Sequence, residues 1–138
     1  CGYTPFDGAE YDYYTTTKGV LEKVKAHVGD VDFAVQPELV SLLSSRNFGR
    51  YADEKGEMKV CFISNNDITG GNSGSAMFNS KGELLGLAFD GNWEAMGSDI
   101  LYEPKMQRTI GVDVRYILFM IEKYGKAGNL IKELNIIN

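Results

Sequence analysis

The sequence lacks the features that mark several common classes of protein. It has no basic run, and its 14 Lys and Arg residues against 19 Asp and Glu residues give a formal net charge of −5. Such a chain is a poor partner for phosphate backbones or anionic membrane surfaces, so we expect no nucleic-acid partner. Its apolar runs, such as residues 117–121, are far shorter than the roughly 20 residues of a membrane span. Residues 1–20 contain no apolar segment of the kind found in signal peptides, so we expect neither a span nor a leader.

Cysteine is also scarce, since only Cys1 and Cys61 are present. Their spacing fits no zinc motif. The two could pair in an exported protein, but Cys1 is terminal, and Cys61 lies in an apolar stretch where a small buried side chain is the simpler interpretation. The aspartates are too scattered for a calcium loop, and we expect no metal and no cofactor.

What is present is typical of one globular domain. Hydrophobic residues make up 43% of the 138-residue chain, and it has 16 glycines and eight tyrosines, which favour turns and strands. We predict helices over residues 20–28, 37–44, 112–124 and 129–134. We predict strands at 59–64, a hairpin of 76–78 with 83–89, and extended stretches at 100–102 and 108–112. The chain is thus expected to be mainly β, with leading loops and short helices in 1–58, strands in 59–112 and C-terminal helices in 113–138.

Between the first strand and the hairpin lies a polar, glycine-dense loop, residues 65–75. A phosphate-binding loop of the Walker type would need a lysine after the glycines, and a dinucleotide-binding loop would need a following helix. Neither is found. The segment Gly71-Asn72-Ser73-Gly74 resembles the G-D-S-G motif of trypsin-like serine peptidases, with Asn72 in place of Asp. In that case Ser73 is the nucleophile, and the N–H groups of Gly71 and Ser73 form the oxyanion hole. The alternative is a structural glycine turn.

A wider resemblance extends over most of the chain. The most specific stretches read NDITGGNSGS at 66–75 and GELLGLAFDGNWE at 82–94, followed by QRTI at 107–110 and VDVRYILF at 112–119, with YTTTKGV at 14–20 and FGRYA at 48–52 upstream. Together they are similar to the C-terminal fifth of the bacterial dipeptidyl-peptidase 7 and 11 family. The resemblance implies exopeptidases that release dipeptides from peptides with free N-termini, exported to the periplasm or cell surface. It also implies a trypsin-like (chymotrypsin-like) half β-barrel followed by a C-terminal helix.

The resemblance also implies roles for individual residues. Ser73 matches the family's nucleophile, and Gly91 matches the position at the base of the primary pocket. Members that prefer Asp or Glu carry Arg at that position, so Gly91 implies an open pocket that prefers hydrophobic residues before the scissile bond. Phe89 and Asp90 match a segment near the substrate amine, where a carboxylate suits an ammonium group. Ala76 stands where the family usually has Pro.

A nucleophilic serine needs a base, and His27 is the only histidine. It lies on the apolar face of a short predicted helix, where a packed structural role is the simpler interpretation. The resemblance places the family's His and Asp upstream of residue 1. We therefore expect the chain alone to be inactive, and its partners to be peptide substrates and the rest of a peptidase chain. A homodimer is a further possibility, because a half-barrel exposes apolar surface. The opposing hypothesis is a noncatalytic β-rich interaction domain.

Overall fold

A computed structural model of the chain describes residues 11–97, 103 and 105–137. The chain divides into two compact units, which are described separately. The first contains Cys1–Thr15 and Val60–Val114, and the second contains Thr16–Lys59 and Arg115–Asn138. The predicted extended stretch at 100–102 lies outside the described residues, as does Cys1.

The first unit is built on a five-stranded sheet with the strand order β1-β2-β5-β4-β3. The strands are β1 (Tyr14–Thr16), β2 (Lys59–Ser64), β3 (Ala76–Phe78), β4 (Leu84–Gly91) and β5 (Thr109–Asp113). The pairs β2–β5, β5–β4 and β4–β3 are antiparallel. The predicted strand at 59–64 and the predicted hairpin are confirmed, because a turn at residues 79–82 returns the chain from β3 into β4.

The pairing of β4 with β5 is interrupted at one residue. Ala88 is opposite Gly111 and Asp90 is opposite Ile110, which leaves Phe89 without a partner in the ladder. An extra residue of this kind is a β-bulge, which bends the strand and changes the direction of its side chains. The bulge therefore offsets the alternation of side chains at the end of β4, although Asp90 and Gly91 stay paired with Ile110 and Thr109.

The second unit is helical. It contains α1 (Thr17–Ala26), α2 (Pro37–Ser44) and α4 (Gly128–Ile131), and most of α3 (Val114–Phe119), which continues into a π-helical turn, Met120–Tyr124. Its core consists of five buried side chains: Leu43, Phe48, Tyr51, Met58 and Phe119. The Phe119 ring makes edge-to-face contacts with the rings of Phe48 and Tyr51, with centroids 5.7 and 6.0 Å apart. An antiparallel sheet with flanking helices, as predicted, is therefore confirmed.

The third helix begins at Val114, two residues later than the sequence pattern predicted. Val112 and Asp113 belong to β5, where they are opposite Leu87 and Gly86 of β4. Backbone hydrogen bonding in the sheet thus competes with helix formation, and α3 begins only at Val114. None of the helices in the described ranges is long and apolar enough to cross a membrane.

Cys61 lies on β2 and is half-buried, with a free thiol as far as the described residues extend. Burial raises the pKa of this thiol, so at neutral pH it is a neutral, weakly reactive group. Its predicted role as a small hydrophobic side chain of a strand is consistent with this environment.

The second unit contains a polar contact that makes its stability depend on pH. The buried Tyr51 hydroxyl donates a hydrogen bond to Glu122 Oε2 at 2.5 Å. Burial and this acidic acceptor raise the pKa of Tyr51 from 10.0 to about 12, and the same hydrogen bond lowers the pKa of the Glu122 carboxyl. In the folded protein, Tyr51 therefore keeps its proton at a pH where the unfolded chain has lost it.

We predict that the free energy of unfolding falls between pH 10 and about pH 12, the interval between the unfolded and folded pKa values of Tyr51. Tyr51→Phe should make this fall shallower. The variant should also be less stable than the parent at neutral pH by about 1–3 kcal/mol, because the Glu122 carboxylate loses its donor. Urea unfolding followed by far-ultraviolet circular dichroism measures both effects. Tyr124→Phe, at an exposed tyrosine two residues after Glu122, is the control. An unchanged pH slope in Tyr51→Phe would contradict the prediction.

Candidate functional site

The loop between β2 and β3 contains a tight turn around Ser73. Residues 65–75 form no helix or strand, as predicted. Gly71 and Gly74 have φ values of +99° and +87°. This left-handed region is unfavourable for residues with a Cβ atom, so the turn requires glycine on both sides of the Asn72-Ser73 pair.

Two main-chain hydrogen bonds attach the end of this turn to β4. The Gly74 N–H donates to the Ala88 carbonyl at 2.7 Å, and the Ala88 N–H donates to the Ser75 carbonyl at 2.9 Å. Ser73 is exposed, and its hydroxyl donates to the Phe89 carbonyl at 3.4 Å. This distance is long for a hydroxyl donor, so the Ser73 oxygen lies beside β4, is only weakly held there and is accessible to solvent.

Asn72 closes the other side of the turn. Its Oδ1 atom accepts a hydrogen bond from the Thr69 N–H at 2.9 Å. Its own N–H donates to the Thr69 carbonyl at 3.2 Å, and its carbonyl accepts from the Ser75 N–H at 2.9 Å. Asn72 thus fixes the turn from within.

These bonds leave two amides of the turn unused. Within the described part of the chain, the N–H groups of Gly71 and Ser73 donate to no acceptor. They are the two groups that the sequence motif assigns to an oxyanion hole. Free backbone donors next to a serine hydroxyl are the groups that stabilise negative charge on a carbonyl oxygen.

The turn opens on a cleft of about 260 Å³ that brings Ser73 together with Phe89, Asp90 and Gly91. Gly71 is not among the residues that line the cleft. Phe89 is the bulged residue and is 44% exposed. Asp90 is also exposed, and its Oδ1 atom accepts a hydrogen bond from the Gly91 N–H at 2.8 Å. Of the predicted site residues, four therefore share one cleft, and Gly71 is in the turn beside it.

The remaining lining residues were not predicted. They are Ile68, Thr69, Gly70, Asn92, Ala95 and Met96. Ala95 and Met96 belong to a short 3-10 turn, Trp93–Gly97, that follows β4 directly. The apolar pair Ala95-Met96 just beyond the pocket-lining strand was the available sequence signal, but nothing in its spacing indicated that the chain turns back.

Asn92 holds this part of the cleft in place. Its Oδ1 atom accepts from the Arg108 N–H at 2.8 Å, and its Nδ2 atom donates to the Met106 carbonyl at 2.8 Å. Its main-chain N–H donates to the Arg108 carbonyl at 2.9 Å. The end of β4 is therefore attached to the segment that leads into β5.

Two other kinds of candidate group, the histidine and metal ligands, do not contribute to this cleft in the described residues. His27 belongs to the second unit, where its ring stacks on Phe33 with centroids 4.0 Å apart. The main-chain N–H of His27 donates to the Lys23 carbonyl at the end of α1. The described residues contain no group of three or more His, Cys, Asp or Glu side chains arranged to hold a metal ion.

Comparisons with known proteins agree on one family. Residues 1–136 match the Peptidase S46 family. The chain is 60% identical over 136 residues to a protein of Porphyromonas endodontalis named dipeptidyl-peptidase 7, covering 99% of this chain and 16% of that protein. It is 46% identical over 136 residues to a Capnocytophaga gingivalis protein named Asp/Glu-specific dipeptidyl-peptidase, covering 99% of this chain and 19% of that protein.

A solved structure has the same fold. The crystal structure of Porphyromonas endodontalis DPP11 in complex with the dipeptide Arg-Glu superimposes with a TM-score of 0.90 at 44% sequence identity. The match covers 96% of this chain and 19% of that one. The chain therefore spans less than a fifth of the length of these relatives.

The role of Asn72 in the turn can be tested by substitution. We predict that Asn72→Ala increases the hydrogen-exchange rate of the Thr69 amide roughly three- to tenfold, because the amide loses its acceptor. Asn72→Asp keeps a side-chain oxygen in the same place and should preserve protection. Amide exchange measured by NMR on the chain separates the two variants, and equal loss of protection in both would contradict this account of the turn.

Proposed function

The chain belongs to the peptidase S46 family, and from this membership we propose that it is the nucleophile-bearing part of a serine dipeptidyl peptidase. Such an enzyme releases dipeptides from the free N-termini of peptides, and the family resemblance places it in the periplasm or at the cell surface. The observation that carries the proposal is the exposed Ser73 hydroxyl beside two free amides, at the mouth of the cleft formed by residues 89–91. In this proposal the antiparallel sheet is one half of a trypsin-like double barrel.

Catalysis would proceed by acyl transfer. The Ser73 oxygen attacks the carbonyl carbon of the scissile bond and gives its proton to a base. The carbonyl oxygen becomes negative and accepts hydrogen bonds from the Gly71 and Ser73 N–H groups. The amine leaves with a proton, and water then releases the dipeptide from the serine ester. As the family resemblance implies, we place the base and its aspartate in the rest of a longer protein, and we assign a structural role to His27, whose ring stacks on Phe33.

The other residues of the cleft suit the N-terminal part of a peptide. The exposed Asp90 carboxylate has an oxygen left for an ammonium group after Oδ1 accepts the Gly91 N–H. Such a contact would favour substrates with a free N-terminus. Phe89 adds an aromatic surface beside it.

Part of the pocket lining supports the proposed preference for an apolar side chain. Ile68, Ala95 and Met96 contribute apolar lining around Gly91. A cleft of about 260 Å³ is slightly smaller than the usual range of about 300–1,000 Å³ for small-molecule sites. We therefore assign it to the single side chain before the scissile bond, with a preference for hydrophobic residues.

The nucleophile is tested in the complete protein by labelling with a fluorophosphonate. Ser73→Ala should abolish labelling and lower dipeptide release on the order of 10⁶-fold, as for other serines that act within a triad. Ser75→Ala, at an exposed serine of the same loop, should label like the parent. Labelling that survives in Ser73→Ala would leave the glycine turn as a structural feature of a noncatalytic domain.

The pocket assignment is tested by introducing charge at its base. We predict that Gly91→Arg moves the preference from Leu toward Asp or Glu before the scissile bond, because the guanidinium pairs with the substrate carboxylate. The ratio of kcat/KM for dipeptidyl substrates that end in Asp and in Leu should change by at least about tenfold. Gly91→Met adds similar length without charge and should lower the rate with Leu without a gain for Asp. An unchanged ratio in Gly91→Arg would remove Gly91 from the pocket.

A further inference from the structure

Gly91 is not required by its backbone conformation. Its φ lies outside the left-handed region, unlike that of Gly71 or Gly74. The main chain at this position would therefore accept a residue with a side chain. The reason for glycine must lie in the space around it.

In the described part of the chain, a single methyl group occupies that space. A Cβ atom built on Gly91 would lie 2.9 Å from Ala95 Cβ, closer than real Cβ contacts allow. The other near atoms are at ordinary contact distance, with the Arg108 carbonyl oxygen at 3.7 Å and Ile68 Cγ2 at 4.0 Å. Among the residues that the structure describes, Ala95 is thus the one that stands in the way of a side chain at residue 91.

The Ala95 methyl group is also held in place. The Ala95 N–H donates to the Asn92 carbonyl at 2.9 Å. The Asn92 side chain is bound to the main chain of Met106 and Arg108, both at 2.8 Å. Moving Ala95 away from residue 91 would therefore disturb the contacts that attach the end of β4 to the neighbouring segment.

We propose that Ala95 is a second specificity-determining residue of the cleft and that its effect is coupled to the residue at position 91. This proposal rests on the proposed function, in which the cleft holds the apolar side chain before the scissile bond. Ala95 and Gly91 line the same cleft, so the volume left for the substrate depends on both. A larger residue at 95 restricts the pocket to small side chains, whereas glycine at 95 deepens it and makes room for a side chain at 91.

The size effect is measured in the complete protein with dipeptidyl substrates that carry Val or Phe before the scissile bond. We expect Ala95→Leu to lower the ratio of kcat/KM for Phe over Val about tenfold, and Ala95→Gly to raise it, because even one methylene in an apolar pocket changes discrimination by about 10–200-fold. Ala26→Leu, at an exposed alanine of α1 in the other unit, should leave the ratio unchanged.

The coupling is measured with a double-mutant cycle. Gly91→Ala alone should lower kcat/KM for the Phe substrate at least about tenfold and lower the thermal midpoint. Adding Ala95→Gly should restore both, since it removes the atom that conflicts with the new methyl group. The thermal midpoint reports this contact independently of catalysis.

Fluorophosphonate labelling of Ser73 distinguishes a failure of the role of Ala95 from a failure of the proposed function. If Ser73 is labelled normally but the Phe to Val ratio is the same in Ala95→Gly, Ala95→Leu and the parent, the role of Ala95 is overturned and the proposed function stands. Equal losses in Gly91→Ala and in the double variant would overturn the coupling. If Ser73 of the parent protein is not labelled at all, the proposed function fails and the specificity role fails with it.

Discussion

The site depends on a reciprocal pair of main-chain hydrogen bonds at Ala88. Its carbonyl accepts from Gly74 and its N–H donates to Ser75, at 2.7 and 2.9 Å. The loop that carries Ser73 has few large apolar side chains, so packing contributes little to its position. Ala88 itself is buried in the middle of β4. A polar turn is thereby fixed to a buried position of the sheet, and this attachment determines where the Ser73 hydroxyl lies.

The bulge at Phe89 divides β4 into two parts that make different contacts. In the first, Gly86 allows β4 and β5 to approach closely, because a Cβ there would lie 2.0 Å from the Val112 carbonyl oxygen. After Ala88, the bulge at Phe89 interrupts this regular pairing, which resumes at Asp90 and Gly91. The regular half anchors the turn that carries Ser73, and the bulged half supplies residues 89–91 to the cleft. The residues that attach the turn and the residues that line the cleft are therefore adjacent in one strand, which keeps Ser73 and the cleft at a fixed separation.

Local features of the sequence were predictable, and contacts between distant residues were not. The hairpin follows from a polar turn between two apolar runs, and the bend around Ser73 follows from Gly71 and Gly74, whose conformations are local. The turn at Trp93–Gly97 depends instead on Asn92 binding the main chain of residues 106 and 108, a contact that no periodicity encodes. The start of α3 at Val114 is set by sheet pairing of the two preceding residues. This is why the sequence predicted a bend at Ser73 but not the contribution of Ala95 and Asn92 to the cleft.

The arrangement also explains how the nucleophile and its base can come from different parts of a protein, as the proposed function requires. Main-chain amides that donate to an oxyanion need only the right conformation of the turn. Asn72 and Ala88 fix that conformation within this unit. The serine hydroxyl, in contrast, is an ordinary weak nucleophile until a base accepts its proton. Its bond to the Phe89 carbonyl is 3.4 Å long, beyond the usual range of about 2.5–3.0 Å for a hydroxyl donor. A base brought near Ser73 would therefore displace this contact at little energetic cost. The turn would supply preformed electrostatic stabilisation, and reactivity would follow only when the partner groups are in place.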